Sequence, residues 1–184
     1  MYRAMLGALL FGLTAAPAVM AAPHIEEFHA VFSGFNEVGA LNAQSGAILS
    51  PGRATLELQL NRADQTLSFI LRYSGLVNPV TQSHIHFGKV HMAGGVMVFF
   101  CSNLASAPAG TQPCPANAGT VMGTVSAANV LGPTTQGVPA GDFQAIVDAL
   151  ESDTTYANIH TTVFPAGEIR GEIRRGFGFG DHDD

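Results

Sequence analysis

Apolar and polar residues alternate along most of the chain, the period of strands with one buried face. RATLELQLN points Leu56, Leu58 and Leu60 to one side, and TLSFILRYS does the same with Leu67, Phe69, Leu71 and Tyr73. NRADQ between them reads as a hairpin connection. Further strand candidates are EEFHAVFSG, QSHIHFG, GVMVFFC, GTVMGTVS, TYANIHT and GEIRGEIRR, nearly all punctuated by Gly, Pro, Asn or Ser. Only GDFQAIVDALES has helical spacing, with Phe143, Ile146, Val147 and Leu150 on one face and Asp142 as N-cap. The pattern predicts an all-β protein, a sandwich or Greek-key barrel with one short helix facing the core.

The N-terminus departs from this pattern. Arg3, an apolar stretch from Ala4 to Leu13 and small residues around Val19, Ala21 and Ala22 form the three-part layout of a secretory signal peptide over residues 1–21, with cleavage after Ala21 or Ala22. Thr14 and Pro17 interrupt the apolar run, which is too short to span a bilayer, and no later segment is long enough. The expectation is an exported protein, periplasmic or extracellular, without a transmembrane segment after signal removal. The mature chain of roughly 160 residues suits one domain, over 22–176. The glycines and acids of GFGFGDHDD predict a disordered acidic tail over 177–184, in which His182 is simply solvated.

Charge and cysteines narrow the classes further. With 14 acidic and 8 basic residues the formal net charge is −6, and no cluster of Lys or Arg occurs that would neutralise a run of phosphates, which argues against a nucleic-acid partner. In an exported protein Cys101 and Cys114 are expected to pair, closing CSNLASAPAGTQPC; free thiols or thiolate ligands are the alternatives, although the spacing is far wider than C-x-x-C. The Ala/Pro/Gly-rich stretch from Ser102 to Asn117 is expected to be loose.

The candidate chemistry lies in QSHIHFGKVH. On a strand Ser83, Ile85 and Phe87 share one side and His84 and His86 the other, with Cβ atoms about 7 Å apart. TYANIHT buries Ala157 and Ile159 and turns His160 outward with Asn158 and Tyr156. Were the two strands neighbours, three imidazoles would converge; with a water they suit Zn²⁺ or Cu²⁺, copper winning on intrinsic affinity. His91, after a glycine turn, is a candidate fourth ligand. The competing reading is an exposed pair of imidazoles hydrogen-bonded to backbone or water. His24 would become the third residue after cleavage, but Pro23 before it has no amide to deprotonate, which spoils an N-terminal copper chelate.

FSGFNEVG, GRATLEL, TLSFILRYSGL, SHIHFG and above all YANIHTTVFPAGEIRGEI resemble the CHRD domain, a module named for its repeats in chordin and found singly in secreted bacterial proteins. The resemblance runs from about Phe28 to Ile173. It implies an immunoglobulin-like all-β fold and a secreted module without an established reaction; chordin itself binds growth factors outside the cell. The family's recurring histidines match His84, His86 and His160, which adds weight to the metal reading. H-x-H followed by F-G is also similar to Cu,Zn superoxide dismutase, but here only His91 follows nearby, so at most a mononuclear site is implied.

In FPAGEIRGEIRR the charged Glu168, Arg170, Glu172 and Arg174 alternate with Ile169, Gly171 and Ile173, the pattern of ion pairs on a solvated strand face, with Gly167 at a turn and Gly171 at a close strand approach. The functional version makes Glu168 and Arg170 a patch beside His160 that supports the ligands. No G-x-S-x-G, H-E-x-x-H or phosphate loop is present, and of the carboxylates inside the recognisable motifs Glu37 and Glu168 are considered as an acid or base, neither expected to be perturbed. Two readings follow. One is a non-catalytic binding or structural module with an unassigned protein or cell-envelope partner; the other is a mononuclear copper- or zinc-binding envelope protein, or an enzyme built on that metal.

Overall fold

Leu56, Leu58 and Leu60 on β2 (Arg53–Asn61) are sealed from solvent. They face Leu71, Phe69 and Leu67 in register on the antiparallel β3 (Thr66–Ser74). Each such side chain withdrawn from water contributes roughly 2 kcal/mol, so the alternation read from the sequence is also the main source of cohesion. These elements belong to a computed structural model that describes residues 24–39 and 46–176. The expected leader and acidic tail lie outside the described residues.

Two antiparallel sheets pack face to face. The first has the order β6 (Gly119–Val125), β3, β2, β1 (Ile25–Phe32), β9 (Arg174–Arg175). The second has the order β5 (Gly95–Ser102), β4 (Val80–Phe87), β7 (Thr155–Thr161), β8 (Ile169–Glu172). The all-β sandwich with one short helix is therefore the observed architecture. The helix α1 (Phe143–Glu151) starts where Asp142 accepts a hydrogen bond from Ala145 N, and it lays Phe143, Ile146, Val147 and Leu150 into the core.

Two expectations change. GEIRGEIRR is not one strand: the chain leaves the second sheet after Glu172, buries Ile173, and joins the first sheet as β9. Gly171 sits where a Cβ would lie 2.8 Å from Val31 O, so β1 and β8 approach closely, and Ser33 and Arg170 exchange backbone hydrogen bonds of 3.0 and 3.1 Å. The stretch from Ser102 to Asn117 is not loose either. Cys101 and Cys114 are disulfide-bonded. Asn103 Nδ2 donates to Val80 O and Cys114 O, and Gln112 Nε2 donates to Phe100 O and Met122 O. The bonds to Val80, Phe100 and Met122 tie the segment to strands, and the one to Cys114 braces it internally.

The outer face of the second sheet is covered rather than solvated, so all seven residues of β7 are buried. The connection between β4 and β5 folds over it, with Gly94 N donating to the Tyr156 hydroxyl. The 3-10 turn at Gly34–Asn36 is fixed to it by Asn36 Nδ2 donating to Arg170 O, and the turn after β7 adds Pro165 O. Among the described residues no helix is long and apolar enough to cross a membrane.

Candidate metal centre

Antiparallel pairing of β4 with β7 sets Gln82 opposite His160, His84 opposite Asn158 and His86 opposite Tyr156. Ile85, Ala157 and Ile159 go to the core, as alternation requires, which puts the polar set together on the other face. Register shifts against β5 flank His84, between Ser83 and His84 and between Ile85 and His86, and such bulges re-aim side chains. One ring nitrogen from each of His84, His86 and His160 lies within 4.8 Å of the others.

This face was expected to point outward, with an exposed pair of imidazoles as the competing reading; the covering loops leave His84, His86 and His160 only 2, 8 and 6 % exposed. Burial, with mutual repulsion from His86 and His160, holds the His84 imidazole well below its ordinary value. Burial likewise lowers His86 to about 4 and lowers His160. All three rings are therefore neutral near pH 7, the form that ligates metals.

The hydrogen bonds fix where two of the ring protons sit. His86 Nδ1 lies 2.8 Å from Gly94 O and His160 Nδ1 lies 2.9 Å from Pro165 O. A carbonyl oxygen can only accept, so each Nδ1 carries the proton and each Nε2 presents a lone pair. Both Nε2 atoms turn to Asn158 Oδ1, at 3.1 and 3.0 Å. His84 Nδ1 is buried without a hydrogen-bond partner. Neutral imidazoles with backbone-anchored Nδ1–H groups and converging Nε2 lone pairs are the arrangement that binds Zn²⁺ or Cu²⁺.

Around the rings stands a supporting layer that the charged pattern of GEIRGEIRR does not suggest. Arg170 is fully buried, not part of a solvated face. Its guanidinium stacks on Tyr156, which in turn stacks on His86, with ring centroids 4.6 Å apart and planes 4° from parallel. Glu172 Oε1 accepts from Arg170 Nε and Nη2, while Met92 O and Lys89 O accept from Nη1 and Nη2, so one side chain holds both the stack and the covering loop. Glu168 is also fully buried, but its carboxylate accepts from Ser50 Oγ at 2.6 Å and Thr161 Oγ1 at 2.8 Å, away from the imidazoles. His91 lies exposed in the covering loop with φ of 61° and is not a member of the three-histidine cluster.

Glu37 is the residue that sequence reasoning undervalued. It follows the 3-10 turn, is buried, and its carboxyl is pushed up from its ordinary value chiefly by that burial. Its Oε1 accepts from Val38 N at 3.2 Å, whereas Oε2 makes no well-formed hydrogen bond, and the Asn158 amide and Arg170 favour its ionised form. Gly167, at φ of 131°, leaves the room it needs: a Cβ there would lie 2.3 Å from Glu37 Oε2. No periodicity marks Glu37, because it lies outside any strand.

The model of the CHRD domain matches residues 28–173. The chain belongs to the CHRD domain family. That match runs from within β1 to the residue before β9, and so contains every side chain of the centre just described. No curated protein and no solved structure matches this CHRD domain significantly.

Proposed function

We propose that this CHRD domain is an exported, non-catalytic metal-binding module that holds one Cu²⁺ or Zn²⁺ ion on His84, His86 and His160. The observation that carries the reading is the convergence of three buried, neutral imidazoles, two of them with Nδ1–H committed to backbone carbonyls. The donor set is all nitrogen and of borderline softness, which suits these two ions over Mg²⁺ or Ca²⁺. Export is supported by the N-terminal sequence and by the Cys101–Cys114 disulfide, since such bonds persist in oxidising compartments. No nucleophile motif is present in the sequence, and the cluster is roofed by loops, which favours holding an ion over turning over a substrate.

The test is elemental analysis of purified protein beside a His84→Gln/His86→Gln variant whose fold is checked by circular dichroism. The expected result is one copper or zinc per chain in the native protein and none in the variant. Native protein that takes up neither ion after equilibration with excess Cu²⁺ or Zn²⁺ overturns the reading.

A further inference from the structure

Resting on that metal reading, we infer that Asn158 Oδ1 is the fourth ligand, which closes the coordination sphere and leaves the ion no position for exchangeable solvent. The geometry points there directly. Four donors about 2.0–2.1 Å from a tetrahedral ion lie about 3.4 Å from one another. Asn158 Oδ1 stands 3.1 Å from His86 Nε2 and 3.0 Å from His160 Nε2, close to one edge of such a polyhedron from each.

The proton inventory excludes the simplest alternative use of that oxygen. Both Nδ1 atoms hold the ring protons, so neither Nε2 of a neutral ring has a hydrogen to give it. Three lone-pair-bearing atoms that face one another repel unless a cation lies among them or the amide turns its NH₂ inward. The geometry decides between these: the amide oxygen, not the NH₂, faces both Nε2 atoms, the arrangement that a cation among them stabilises. The strands hold the group in place, because Asn158 is paired with His84 on one side and with Arg170 on the other.

The consequence separates a carrier from a catalyst. Catalytic sites keep a position open for water or substrate, and structural sites close all four. A His₃ set alone would leave such a position; the amide fills it.

The Cu²⁺-loaded protein is titrated with azide and followed by electron paramagnetic resonance and visible absorption, beside Asn158→Ala and Asn158→Asp. The native protein is expected to show no azide-dependent change. Asn158→Ala is expected to gain an azide-to-copper absorption band, and Asn158→Asp to bind Cu²⁺ at least tenfold more tightly without taking azide. Native protein that takes azide overturns the fourth ligand while leaving the three-histidine site standing. This arm needs no variant to fold, since azide uptake by the native protein suffices. Native protein that binds no Cu²⁺ overturns both.

Discussion

The guanidinium carbon of Arg170 lies 3.3 Å from the centroid of the Tyr156 ring. Arg170 stands on β8, Tyr156 on β7 and His86 on β4, so the three planar groups stack across three adjacent strands. A cation desolvated over an aromatic face is stabilised by the ring quadrupole, and here the same cation ties down the loop that roofs the three-histidine cluster. A fully buried Arg in a β-sheet is thereby made a support for a histidine that it does not touch.

Arg170→Lys tests that support. A lysine keeps the charge but cannot stack flat on Tyr156 while donating to Glu172, Met92 and Lys89 together. Urea unfolding is expected to show a loss of about 2–4 kcal/mol, and Cu²⁺ titration a 10- to 100-fold weaker site. Unchanged affinity at matched folding would remove Arg170 from the centre's supports.

The metal-free protein is expected to weaken in mild acid. The folded His86 value of about 4 lies below the unfolded 6.5, so its contribution is fully present above pH 6.5 and is lost as pH falls through 4. That residue alone accounts for roughly 3 kcal/mol, and His84 and His160 shift in the same direction. Urea midpoints measured from pH 7.5 to 4.5 should fall, and a His86→Gln variant should fall less.

Glu37 carries the opposite sign. Its folded value is raised, so its contribution is fully present below the unfolded 4.5 and is lost as pH rises through the folded value. Glu37→Gln removes that cost. The metal-free variant is expected to be more stable than the native protein at pH 7.5 and no more stable at pH 4, read from the same urea midpoints.

Cys101→Ala/Cys114→Ala opens a loop with a sequence separation of 13. Chain entropy puts the loss at about 3 kcal/mol. Because Asn103 and Gln112 still bond to strands on either side, the sandwich should remain folded, with a lower urea midpoint and unchanged metal stoichiometry.

Alternation by itself determined much of this protein. The bounds of β2, β3 and β7 coincide with RATLELQLN, TLSFILRYS and TYANIHT, because a period of two over seven or more residues has no helical equivalent. It also placed His84 and His86 on one side of their strand and His160 beside Asn158 on the corresponding side of another. Tertiary structure alone decided that β4 and β7 are neighbours, since the pairing joins residues 68 to 81 positions apart. It also decided that the polar face is covered. A period of two tells which way a side chain points and carries no information on whether a loop will close over it. Glu168 and Arg170, expected in solvent, are buried, and Glu37 matters because a turn carries it to Asn158.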